Sequence, residues 1–162
     1  MAVIKSMAYG HGAVPVAKAL KGLVDAFAVA RVEEALQLRD AGIEVPLVVL
    51  EGARQSAQLP LAWRADLQLV LHHESQLQWL QDDPEHALDY WLKVDTGMHR
   101  LGFTPERAAE LLQQLPQHPG VASLRLLSHL ACADDLNDAA SLAQLRHLQD
   151  LQSAIDSECA MA

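Results

Sequence analysis

Three short stretches of this sequence carry side chains able to do chemistry together. The first is Lys5, followed four residues later by Tyr9-Gly10-His11-Gly12. The second runs Lys93-Val94-Asp95-Thr96-Gly97-Met98-His99-Arg100, and the third is Ser128-His129. A lysine amine attacks a carbonyl once desolvation or neighbouring cations lower its pKa. Arg100 or Lys93 would supply that cationic field. A tyrosine hydroxyl and glycine N–H groups can hold a phosphate, and an imidazole can stack on an aromatic ring. As a set, these groups suit a phosphorylated carbonyl cofactor. Each also has an ordinary reading: a strand-end lysine whose stem covers apolar surface, an Asp-Thr-Gly turn, a histidine satisfied within the fold. Asp95-Thr96-Gly97 occurs once, so nothing supplies the second half of an aspartic-protease dyad. With no HExxH and no His/Asp/Glu cluster at ligand spacing, no metal site is expected. No GxSxG supports a serine hydrolase.

The elements that must position these groups are short β-prone runs at 2–5, 26–30, 46–50, 67–71, 90–94 and 123–130. Each chemical stretch lies at the end of such a run, where parallel α/β folds build their sites. Helical spacing fills the gaps. Val14, Ala17 and Leu20 sit three apart; Val32, Ala35, Leu36 and Ala41 trace one face before a capping Gly42. Thr104 reads as an N-cap, with Pro105 at the first helical position and Glu106 in the first turn. Leu142, Leu145, Leu148 and Leu151 predict a last amphipathic helix starting near Asp138. The strands start roughly 20 to 33 residues apart, the spacing of βα units. A (β/α) barrel and an open doubly wound sheet both fit. Neither GxGxxG nor GxxxxGK[ST] occurs, which removes the strongest pointers to a dinucleotide or P-loop site. A complete eight-stranded barrel takes about 250 residues, so a barrel with six strands is expected to be a truncated one with two unpaired edges.

Composition narrows the function classes. The 162 residues are 51% hydrophobic and 20% charged, enough to bury one core and too apolar for disorder. A formal charge of −9 argues against nucleic acid as a partner, and 4% aromatic residues leave little for base stacking. No apolar run approaches the roughly 20 residues that span a bilayer, so no membrane partner is expected. Lys5 and His11 interrupt the first apolar segment and no secretory cleavage pattern follows. Cys132 and Cys159 have no CxxC or metal spacing; they read as free thiols in a reducing cytoplasm.

The stretch "AVIKSMAYGHG" resembles the signature of the pyridoxal-phosphate-dependent alanine racemases, written AVVKANAYGHG. "AFAVARVEEALQLRDAGIEVPLVVLEG", "LKVDTGMHRLGF" and "LLSHLACADD" match that family in order and at compatible spacing, over nearly the whole chain. The resemblance implies an α/β fold: an incomplete TIM-type (β/α)8 barrel of about six βα units over residues 1–162, the family's C-terminal β-domain being absent. It implies pyridoxal 5′-phosphate as cofactor and alanine as substrate, with the parent enzyme a homodimer supplying D-alanine for peptidoglycan. Lys5 then bonds the cofactor and serves as one of two bases at the substrate Cα. Tyr9 contacts the cofactor phosphate and His129 packs on its ring. Arg100 contacts the cofactor's phenolic oxygen and the substrate carboxylate, Lys93 is a candidate for carbamylation that orients Arg100, and the main-chain amide of Met98 lies near that carboxylate. The opposite base is a tyrosine of the partner subunit's C-terminal domain, so the 162-residue chain alone is expected to show little or no racemase activity.

The chain departs from the signature at Ser6-Met7, where the family has Ala-Asn, which removes an amide beside the cofactor lysine and alters the surroundings of Lys5. His99 aligns with a position holding Gly or His and takes no catalytic role. Two other readings compete. Non-enzymatic cofactor-homeostasis barrels also carry a strand-end lysine but lack the AYGHG and DTGMHRLG signatures. A plain α/β domain with no ligand is the third.

Overall fold

The computed structural model describes residues 1–82, 86–135 and 137–159, with side chains given for all of these except 81–82 and 154–159; the Cys159 thiol thus lies outside the described residues. In chain order the elements are β1 (Ala2–Val3), α1 (Lys5–Tyr9), α2 (Ala13–Ala19), β2 (Phe27–Val29), α3 (Val32–Asp40), β3 (Leu47–Val49), α4 (Leu59–Arg64), β4 (Leu67–Leu71), α5 (Glu74–Asp82), β5 (Leu88–Lys93), α6 (Pro105–Gln114), β6 (Val121–Leu127) and α7 (Ala139–Cys159). Short 3-10 turns precede α4 at Ser56–Gln58 and follow α6 at Leu115–Gln117.

All six expected strands form, and every neighbouring pair is parallel. Their order in the sheet follows the chain, β1 to β6. A doubly wound sheet reverses its order part-way along; this one does not, and the barrel reading holds. Side chains alternate across the strands. Phe27, Val29, Leu47, Val49, Leu69, Tyr90 and Leu92 point into the large core shared with the helices. Ala28, Val48 and Val70 point to the other face, with Leu50, Trp91 and Leu127 packed against them. Burial on both faces explains why these strands read as continuous apolar runs.

Several bounds differ from the sequence reading. β1 ends at Val3, although the Ile4 N–H still donates to the Ala28 carbonyl at 2.8 Å. β5 runs Leu88–Lys93, and β6 stops at Leu127, leaving Ser128 and His129 on the loop beyond. α3 is capped at Ala41, and Gly42, at φ +78°, turns the chain out one residue later. Thr104 caps α6 as expected, its Oγ1 accepting from the Arg107 N–H at 3.3 Å. The Leu stripe of α7 is only partly inward: Leu151 is buried, whereas Leu142 and Leu145 are exposed. At 100° per residue, a strict spacing of three winds halfway round the helix between Leu142 and Leu151. The buried position on this side is Gln144.

At the opposite end of the strands, Arg39 of α3 ties two connections together. Its guanidinium donates to the carbonyls of Ile43, Val45, Ala65 and Asp66 at 2.6 to 2.9 Å. The strands thus enter the sheet from loops fixed to one another, which leaves the C-terminal rim to carry the chemistry.

Candidate active site at the strand ends

Lys5 opens α1, which is a left-handed turn. Ser6, Met7, Ala8 and Tyr9 have φ of 53°, 58°, 51° and 54°. Left-handed backbone crowds Cβ against the following carbonyl, at roughly 1–2 kcal/mol per L-residue, so four in a row need external support. Ala8 is buried beneath the turn, and its N–H donates to the Ile4 carbonyl at 2.9 Å. A His11 ring N–H donates to the Ala8 carbonyl across 3.0 Å. The Ser6 N–H donates to Glu34 Oε1 at 2.7 Å. Gly10, at φ +93°, continues the same hand without a side-chain penalty. The turn puts Lys5 half-buried at the rim and leaves Tyr9 exposed above it.

The second stretch folds back on its own strand. The Phe103 N–H donates to the Lys93 carbonyl at 2.9 Å, and the Asp95 N–H to the Phe103 carbonyl at 2.8 Å. Gly102 makes this close return possible: a Cβ there would lie 2.8 Å from the Asp95 nitrogen and 2.9 Å from the Lys93 oxygen. Asp95 organises the tip, accepting from the N–H groups of Gly97 and His99 at 3.0 and 2.9 Å. Despite its partial burial, these bonds and the His99 ring hold the Asp95 carboxyl below its ordinary range. His99 itself is exposed and serves the loop.

The third stretch is joined to the second through α7. Gln144 Nε2 donates to the His129 carbonyl at 3.0 Å and to Thr96 Oγ1 at 3.3 Å, while its Oε1 accepts from the Ala131 N–H at 2.9 Å. Thr96 Oγ1 and Ser128 Oγ lie 2.7 Å apart, and Ser128 Oγ donates to the Val94 carbonyl at 3.1 Å. A His147 ring N–H donates to the Thr96 carbonyl at 3.1 Å. Sequence reasoning missed Gln144 and Glu34. A glutamine on an amphipathic helix looks like any surface glutamine. Glu34 stands at the third position of its helix, where a capping glutamate belongs, but Arg31 occupies the cap and hides the pattern.

Lys5, Tyr9, Lys93, Arg100 and His129 line one cleft of about 470 Å³, together with Ala30, Leu50, Glu51, Leu101 and Ser128. Met98, half-buried in the same loop, does not line it. Five of the six expected site residues therefore converge. Burial, then the charge of Arg100, lowers the Lys93 pKa, and Asp95 partly restores it. Partial desolvation and the charges of Arg100, Lys93 and Lys5 lower the His129 pKa, favouring the neutral ring. In a chain of net charge −9, three cationic side chains share this cleft, and Glu51 is the one carboxylate residue among the described residues lining it. Such a donor set suits an anionic ligand carrying a carbonyl. A second cavity, about 560 Å³ between the β5–α6 loop and α7, is lined by Asp95, Glu106, His147 and Asp150 and holds no lysine or arginine. Among the described residues no group of His, Cys, Asp or Glu could hold a metal ion, and no helix is long and apolar enough to cross a membrane.

Known proteins resemble this chain in both sequence and fold. The family model for the alanine racemase N-terminal domain matches residues 1–161. An alanine racemase of Alteromonas mediterranea is 45% identical over 156 residues, covering 96% of this chain and 43% of the relative. One from Vibrio vulnificus is 43% identical over 164 residues, covering 100% of this chain and 46% of the relative. The crystal structure of the biosynthetic alanine racemase from Pseudomonas aeruginosa superposes with a TM-score of 0.89 at 39% identity, over 94% of this chain and 43% of that one. The alanine racemase from E. faecalis gives a TM-score of 0.85 at 33% identity, over 94% of this chain and 43% of that one. The chain thus spans less than half the length of the relatives it matches. With the motifs in order, the strands in barrel order and a domain model covering all but the last residue, the chain belongs to the family of alanine racemase N-terminal domains.

Proposed function

We propose that this chain supplies the cofactor-binding lysine and one catalytic base of a racemase that interconverts L- and D-alanine. The observation that carries the reading is the convergence of Lys5, Lys93, Arg100 and His129 on one cleft. The donor set fits pyridoxal 5′-phosphate: a lysine for its carbonyl, cations for its phosphate and phenolic oxygen, and a ring that stays neutral to pack on its own. When bound, that cofactor supplies an electron sink for the charge left at the substrate Cα.

The chain's own residues do the rest. Lys5 would hold the cofactor through its carbonyl, with loss of water, and its amine, once freed when the substrate amine takes its place, would take or return the Cα proton on one face. The Tyr9 hydroxyl, at the mouth of the cleft, would hold the cofactor phosphate. Arg100 would bind the substrate carboxylate, and Met98, which does not line the cleft, takes no part in this reading. The lowered Lys93 pKa raises the fraction of free amine, the form that adds carbon dioxide to give a carbamate and a released proton. The carbamate would then hold the Arg100 guanidinium by charge. His129 stays neutral and packs without adding a fourth cation. A base for the opposite face comes, in this reading, from a tyrosine of a second subunit's C-terminal domain. The 162-residue chain alone is therefore expected to bind cofactor and racemise little or not at all. We place the protein in the cytoplasm, where Cys132 stays a free thiol.

Borohydride reduction after incubation with pyridoxal 5′-phosphate tests the reading. Peptide mapping is expected to find the reduced adduct on Lys5, and Lys5→Ala to lose it. An adduct of undiminished yield in Lys5→Ala would overturn the assignment.

A further inference from the structure

We propose that Glu34 is a positioning residue for Lys5, an inference that rests on Lys5 being the cofactor lysine. The Glu34 carboxylate joins two neighbouring strand ends. One oxygen accepts from the Ser6 N–H at 2.7 Å. The other accepts from the N–H groups of Ala30 at 2.7 Å and Arg31 at 3.1 Å. Ser6 directly follows Lys5, so the peptide plane that carries its N–H also carries the Lys5 carbonyl carbon. Ala30 leaves β2 and lines the same cleft as Lys5. One side chain thus fixes the Lys5 backbone relative to the adjacent strand.

The need for such a bond follows from the turn. Ser6 to Tyr9 are four consecutive L-residues in left-handed backbone, each disfavoured on its own. Hydrogen bonds inside the turn begin only with the Ala8 N–H, so the first left-handed residue is held by Glu34. The carboxylate suits the task. It lies in the first turn of α3, where the helix dipole favours an anion. All three bonds it accepts are charge-assisted. Glutamine has the same length but only one acceptor, and would present an NH2 group to an N–H on one side. Aspartate keeps the charge at the helix start but is one methylene too short to span both strand ends.

Two readouts on the 162-residue chain test this. The first needs no cofactor: amide hydrogen exchange of the peptide covering residues 6–10. Glu34→Gln is expected to speed it about tenfold, the scale of one lost charge-assisted bond. Glu34→Asp retains a carboxylate for α3 and is expected to speed exchange at residues 6–10 while leaving that of α3 unchanged. It carries the test even where Glu34→Gln folds poorly. The second readout is the rate at which the borohydride-trapped Lys5 adduct forms with pyridoxal 5′-phosphate, expected to fall about tenfold in Glu34→Gln. Adding Ser6→Gly should recover much of that rate, because glycine adopts the left-handed conformation freely; loss of helix capping alone would not be rescued this way. Unchanged exchange at residues 6–10, or a slowed rate that Ser6→Gly leaves untouched, would overturn the proposal. Exchange that speeds up in the Glu34 variants as expected, in a chain whose wild type forms no adduct at Lys5, would support the clamp and overturn the cofactor reading instead.

Discussion

Lys93 is a buried cation at the cleft that acts against the fold carrying it. Its residue is 9% exposed, and burial followed by the Arg100 charge lowers its pKa, with Asp95 only partly compensating. A lowered pKa means that the unfolded chain binds this proton more tightly than the folded one. Lys93 therefore opposes folding below its folded pKa, and the penalty fades as pH rises from there towards the unfolded value. In carbon-dioxide-free buffer, where Lys93 carries no carbamate, Lys93→Met should stabilise the chain by about 1 kcal/mol at neutral pH, read as a higher thermal midpoint, with the advantage over wild type shrinking in the alkaline range. The same substitution removes one of the cations that hold the His129 pKa down, so the His129 titration followed by NMR should move upward. For His129 itself the unfolded chain also binds the proton more tightly, so stability is lost as pH falls through the ordinary imidazole range. A variant that melts at or below wild type, with His129 unmoved, would remove the shared cationic field from the account.

At the scale of the element, the left-handed turn recasts the Ser6-Met7 departure. The motif's asparagine falls on Met7, at φ +58°, and asparagine is among the non-glycine residues that best tolerate this region. Met7 is 59% exposed, so its side chain offers little packing in return. Met7→Asn should therefore raise the urea midpoint, by about 0.5–1 kcal/mol of stability; a lower midpoint would mean that the methionine packs better than its exposure implies. This turn also marks where sequence reading stops. The strands were legible because doubly buried β-structure needs unbroken Val, Leu and Ala. Their ends were not, because Ile4 and Val94 continue the apolar run into turns. α4 and α5 escaped notice because Pro60 and a glutamine-rich stretch blur their periodicity. The residues that line the cleft were legible as types in order. The bonds that hold them, through Glu34 and Gln144, join positions 28 and 48 residues apart, and local spacing does not encode those.

The whole molecule is a sheet with two edges, and the edges are unequal. β1 has two residues, whereas β6 has seven and, among the described residues, pairs on one side only, with β5. An edge strand of that length offers a row of unpaired N–H and C=O groups to another chain. Val121, Leu124, Leu126 and Leu127 are each only partly buried along it, and α7, which follows it in the chain, exposes Leu142 and Leu145. One feature blunts the edge: Ala122 has no partner where the register shifts between Leu88 and Asp89, which kinks the pairing like a bulge. The net charge of −9 opposes association at low ionic strength. The 162-residue chain should therefore associate with rising concentration, and more strongly as salt screens that charge, as measured by sedimentation velocity. Ala122→Lys would place a charge on the exposed edge and should shift the population towards monomer. Leu145→Lys changes the net charge equally but leaves the edge intact, so a smaller effect there would assign the contact to β6 rather than to the helix. A wild-type chain that stays monomeric at every concentration and salt would show instead that the bulge alone protects the edge.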